Sequence, residues 1–144
     1  MTALEQMPIV PDTLQYKMNT IFEALQNDAF RARFKLRERE ISQLQNKSMD
    51  VILLEGARFI NKRLAPLNPV NDGAQTPMKG HPIFVAQHAT GTCCRGCLMQ
   101  WHNISADHAL TPTERQYILQ VLAHWLALQG IDYDPIQGVL FLIV

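Results

Sequence analysis

No stretch of the 144-residue chain approaches the ~20 consecutive apolar residues that a membrane-spanning helix needs. The first thirty residues also lack a basic segment followed by an apolar one, so the expectation is a cytoplasmic protein with no membrane span. Net charge is missing as well. Lys plus Arg and Asp plus Glu number 13 each, so no overall field draws nucleic acid or an anionic membrane, and such a partner has to be met by a local patch. Cysteine is scarce: the chain has three, an odd number clustered between 93 and 97, which argues against a disulfide framework and for reduced thiols. There is no internal repeat, glycine-rich phosphate loop, GxSxG or HExxH, which removes the best-marked nucleotide, serine-hydrolase and metalloprotease readings.

What the chain does have is helical periodicity. The length suits one domain that buries on the order of two thirds of its unfolded surface, so a metal is not required for folding. Pro8 and Pro11 mark residues 1–12 as a loose tail. Leu14, Met18, Ile21, Phe22 and Leu25 then recur at spacings of three and four, predicting an amphipathic helix started by Asp12 or Thr13. Ser48 is the expected N-cap of a second helix, from Met49 to about Leu64, which Pro66 and Pro69 end. LTPTERQYILQVLAHWLALQG is the clearest element: Thr111, Pro112 and Glu114 form a capped start, Tyr117, Ile118, Val121, Leu122, Trp125 and Leu128 the buried face, and Gly130 the stop. The expected fold is therefore mainly α, a single compact domain of four or five helices over 13–130. An apolar extension, possible strand and possible homo-oligomer contact, follows at 131–144.

Two stretches carry the chemistry. Arg31, Arg33, Lys35, Arg37 and Arg39 alternate, and on an extended segment they line one face. That face is either a solvated junction between helices or a contact for phosphate, nucleic acid or another acidic partner, with Lys79 and His81 added from a later helix start. The second stretch is QHATGTCCRGCLMQWH, residues 87–102, with Cys93, Cys94 and Cys97 between His88 and His102. It follows a long proline-rich connection, residues 66–81, of the kind that is often functional.

If 82–102 were one unbroken helix, the thiols would fall about 140–240° around the axis from His88, and His102 would fall near 320°. A site using thiols and histidine together thus needs a break, and Gly91 or Gly96 is where the chain would make it. Three readings stay open. The cysteines are ligands to a metal, with His88 or His102 completing the set: zinc by preference, an iron–sulfur cluster less well because it ordinarily takes four thiolates. Alternatively one of them is a nucleophile or redox thiol of an enzyme. Alternatively they are packing in a non-enzymatic interaction module.

The residues NDGAQTPMKGHPIFVAQHATGTCCRGCLMQWHNI, followed by LTPTERQYILQVLAHWL, resemble a bacterial family classed as a domain of unknown function, over about residues 20–128. The resemblance implies that the proline-rich loop and the Cys/His segment form one functional unit. Gly91 departs from the bulkier small residue expected there.

Overall fold

The structure, a computed structural model, describes residues 9–130, with side chains from Leu14 onward. The extension at 131–144 and most of the expected N-terminal tail lie outside the described residues. The described residues form six α-helices: α1 Ile9–Gln26, α2 Ala29–Ala32, α3 Glu38–Phe59, α4 Pro82–Thr90, α5 Arg95–His102 and α6 Pro112–Ala127. A π-helical turn, Ile60–Leu64, extends α3, and no strand occurs among the described residues.

The centre of the fold is the short helix α4, which packs against α1, α2, α3 and α6. Eight of its nine residues are buried, consistent with PIFVAQHAT being apolar or small nearly all round. Its crossing with α3 is close. A Cβ on Gly56 would come within 2.7 Å of Ile83 Cδ1, so the glycine is what lets the two helices meet there. Helix α6 begins as the sequence predicts, with Glu114 N–H donating to Thr111 Oγ1 and the Thr111 N–H donating to Glu114 Oε1.

Three expectations change. Helix α1 is already helical at Ile9, the first described residue, so Asp12 and Thr13 lie within it rather than capping it. The helix expected from Met49 is preceded by a helical stretch from Glu38. There Leu44 is buried, and Glu38 and Glu40 sit in the first turn, where the helix dipole favours acids. The two stretches meet at Ser48, whose positive φ of 71° makes the expected cap into a kink within α3. Segment 82–102 divides into two helices at one of the two glycines where the sequence allowed a break. The break is at Gly91, with φ 71° in the left-handed region.

Gly91 is held from a second side. A Cβ there would lie 2.5 Å from Trp101 Cδ1, because the indole packs directly on the glycine backbone. The position demands glycine rather than adding looseness beside the thiols. Gly91→Ala is therefore expected to cost at least ~1–2 kcal/mol from the left-handed backbone alone, before the indole shifts. Gly96→Ala, whose Cβ would meet nothing closer than Cys94 Sγ at 4.0 Å, is expected to stay within ~1 kcal/mol of wild type. Urea denaturation of the two variants checks the contrast.

Candidate functional site

The turn that ends α4 begins the site. Gly91 redirects the chain, Thr92 Oγ1 hydrogen-bonds Thr90 Oγ1 at 3.0 Å, and Gln87 Nε2 donates to Thr92 O at 3.0 Å, so the corner is tied from inside. Cys93 follows, buried, and Cys94 becomes the N-cap of α5, its Sγ accepting from the Cys97 N–H at 3.4 Å. Cys97 sits one turn along. The three sulfurs lie within 4.8 Å of one another, all as free thiols, with Cys94 and Cys97 half-buried. They could hold a metal ion: a tetrahedral zinc site needs thiolates about 3.8 Å apart at Zn–S bonds of ~2.3 Å, so only a small contraction is required.

The proline-rich loop reaches this corner as expected. Thr76 Oγ1 donates to Cys93 O at 2.8 Å, and Asp72 Oδ1 accepts from the Arg95 N–H at 3.4 Å. The Arg95 side chain faces away from the sulfurs. It is 1% exposed and donates to the carbonyls of Leu64, Pro66, Ser105 and His108, tying the loop starts on either side of the site together.

The histidines do not join the thiols. His102 Nε2 lies 2.7 Å from Thr90 O, which can only accept, so Nε2 carries the proton and Nδ1 accepts from Tyr117 Oη at 2.8 Å. Neither nitrogen has a lone pair left for a metal. His88 Nε2 faces two carbonyls, Thr76 O at 3.1 Å and Pro77 O at 3.2 Å, and is likewise committed as a donor. Burial pushes both imidazoles below their ordinary pKa, so they stay neutral. The structure brings the three thiols together, while His88 and His102 pin backbone around them. His81 is similarly engaged, its Nδ1 accepting from the Ile83 N–H at 3.0 Å as N-cap of α4 and its Nε2 donating to Glu55 Oε1 at 2.9 Å. It has no free group for an anion.

The residue that sequence spacing misassigned is Arg31. Expected with Arg33 and Lys35 on a face that is either solvated or in contact with an anion or partner, it is 8% exposed and turned inward from α2. Nη2 donates to Cys97 Sγ at 3.1 Å, and Nη1 to Cys93 Sγ at 3.6 Å and to His88 O at 2.8 Å. Asp28 caps α2 by accepting from the Arg31 N–H at 2.9 Å, and the Trp101 ring lies 5.9 Å from the guanidinium carbon. Arg31 forms no salt bridge with a carboxylate among the described residues. A buried guanidinium needs a counter-charge, and the groups in contact that can supply one are the sulfurs. Over 60 residues separate Arg31 from the thiols, and no local signal marks the pairing.

The thiols respond unequally. Cys93 is brought down to about 7, first by the hydrogen bond from Cys97 and then by Arg31, against the opposing effect of burial. Cys97 is pushed far up, because its proton is what Cys93 uses and because it is half-buried; burial also raises Cys94. The lowered Cys93 pKa stabilises the fold above the unfolded thiol's pKa of ~8.5, and that contribution is lost as pH falls through about 7. In chelator-treated protein, ultraviolet thiolate absorbance is therefore expected to rise with a first midpoint near pH 7. Arg31→Met, neutral and of similar length, is expected to move that midpoint up by about one pH unit or more. An unchanged midpoint in a variant that still folds would remove the guanidinium from the site.

Comparison with protein families places the chain. The family described as "Domain of unknown function (DUF4186)" matches residues 19–127, a span that contains Arg31, the proline-rich loop and all three cysteines, and the chain belongs to that family. No solved structure matches it.

Proposed function

We propose that this DUF4186 protein is a metal-binding protein whose ligands are the thiolates of Cys93, Cys94 and Cys97, with zinc as the ion. The observation that carries the reading is the buried Arg31 guanidinium lying against two of three clustered sulfurs. Three thiolates around a divalent ion carry a net charge of about −1, and one arginine neutralises it. A monovalent ion such as Cu(I) would leave the buried site about one charge more negative, so the charge balance favours a divalent, thiophilic metal. The Arg31 donors also match what metal-bound thiolates accept from their surroundings, and the Cys97 N–H to Cys94 contact adds another.

Among the described residues no histidine or carboxylate joins the three sulfurs, which leaves a fourth coordination position to an exchangeable ligand. Cys94 and Cys97 are half-exposed, so that position faces solvent. A divalent ion with an exchangeable position supplies Lewis acidity. The chain's own residues hold the thiolates, offset their charge through Arg31 and exclude water from the Cys93 side.

A second reading has its own support. The hydrogen bond from Cys97, with Arg31, brings the Cys93 thiol down to about 7 without a metal. That arrangement suits a thiol nucleophile.

Untagged protein purified without added metal is expected to contain about one equivalent of zinc by elemental mass spectrometry, falling at least tenfold in Cys94→Ser and Cys97→Ser but not in His102→Gln. Metal-free wild-type protein whose thiol alkylates rapidly at neutral pH would reject the metal reading and adopt the nucleophile. Full zinc content in both serine variants would place the metal elsewhere.

A further inference from the structure

Arg31 is the member of the basic run that turns inward, which leaves the others to be accounted for. Residues 33–37 form the irregular connection between α2 and α3. Arg33, Lys35 and Arg37 line one cleft, and Lys79, from the proline-rich loop, lines it from across. The cleft has a volume of about 560 Å³, within the range of small-molecule sites. Phe34 and Met78 give it an apolar wall.

Charge is concentrated there. The chain is neutral overall, yet this cleft gathers four cations and one carboxylate, Glu40. That carboxylate is already engaged. Glu40 is 3% exposed, Oε1 accepts from the Arg37 N–H at 2.9 Å, and Oε2 accepts from the Gly80 N–H at 3.3 Å. None of Arg33, Lys35, Arg37 or Lys79 forms a salt bridge among the described residues. Glu40 instead fixes the two backbone segments that carry the cations. Gln43 Nε2 reinforces this by donating to Gly80 O at 2.8 Å. Positive charge held on two segments pinned to each other, around a cleft of ligand size, is an arrangement for capturing multiply charged anions.

From this we infer that the cleft between residues 33–37 and Lys79 binds a small phosphate-bearing molecule, its phosphate groups held by Arg33, Lys35, Arg37 and Lys79 and its less polar part lying on Phe34 and Met78. Two arginines suit the forked recognition of phosphate oxygens, and two lysines supply mobile point charges. The site is separate from the thiols. Between them stands His88, whose ring stacks on Phe34 at 5.4 Å.

Calorimetric titration with inorganic pyrophosphate and with adenosine diphosphate tests this on the full chain. Saturable one-to-one binding of either is expected. Lys35→Ala with Lys79→Ala is expected to weaken it about tenfold or more, and Arg39→Ala, outside the cleft, to leave it unchanged. Equal affinity for the two probes would show that phosphate alone is read, and tighter adenosine diphosphate that the base lies on Phe34. The lysines are exposed, so circular dichroism and metal content should match wild type in the double variant. Absence of binding by both probes at low salt would overturn the inference, and so would undiminished binding in the double variant. Affinity found only for an oligonucleotide and growing with its length would reassign the face to nucleic acid and overturn it too.

Discussion

The left-handed turn at Gly91 is the constraint on which the site rests. Without it the segment from Pro82 to His102 would run as one helix and carry the sulfurs on the side away from both histidines. The turn ends α4 at Thr90 and lets Trp101 close over the glycine backbone. It releases Thr92 and Cys93 from helical geometry and lets Cys94 cap α5. The thiols are gathered by one backbone reversal, and the reversal is tied down by Gln87 and by the hydroxyls of Thr90 and Thr92.

Two buried arginines then divide the labour of holding the corner. Arg95 has four carbonyl acceptors and no acid, so it works as a fastener between the end of α3 and the connection before α6. Arg31 has one carbonyl and two sulfurs, so its charge is balanced only if the sulfurs carry some of their own. A buried charge that loses its counterpart is strongly destabilising, which couples the ionisation of the cluster to the packing of α2 against α4. The histidines complete the frame from outside: His102 links Thr90 O to Tyr117, and His88 links the loop at Thr76 and Pro77 to α4.

The same economy appears around the basic cleft. Glu40 and Gln43 on α3 hold the loop backbone at Gly80, and Glu40 also holds the start of its own helix at Arg37. The polar groups nearest the cationic side chains are thus occupied in positioning backbone rather than in neutralising charge. One short segment, residues 31–37, therefore serves the thiols with its first arginine and the cleft with its later cations.

Much was legible in the sequence. Helix α6 followed from its capping residues and apolar spacing, and the thiol cluster followed from three cysteines in five residues with glycines available for a break. The basic run marked a shared cationic surface, and Arg33, Lys35 and Arg37 do line one cleft, though Arg33 sits in an αR turn and Phe34 lines the cleft with them rather than facing away. These are local signals, governed by residues a turn or less apart. What tertiary structure alone decided is which partners meet: that Arg31 leaves its run and lies against Cys93 and Cys97, that His88 Nε2 and both His102 nitrogens bond to carbonyls and a tyrosine hydroxyl, and that Lys79 lines the same cleft as Lys35. Each of those contacts joins residues far apart in the chain, and their pairing is set by the way α2, α4 and the proline-rich loop pack around Gly91, which no spacing in the sequence encodes.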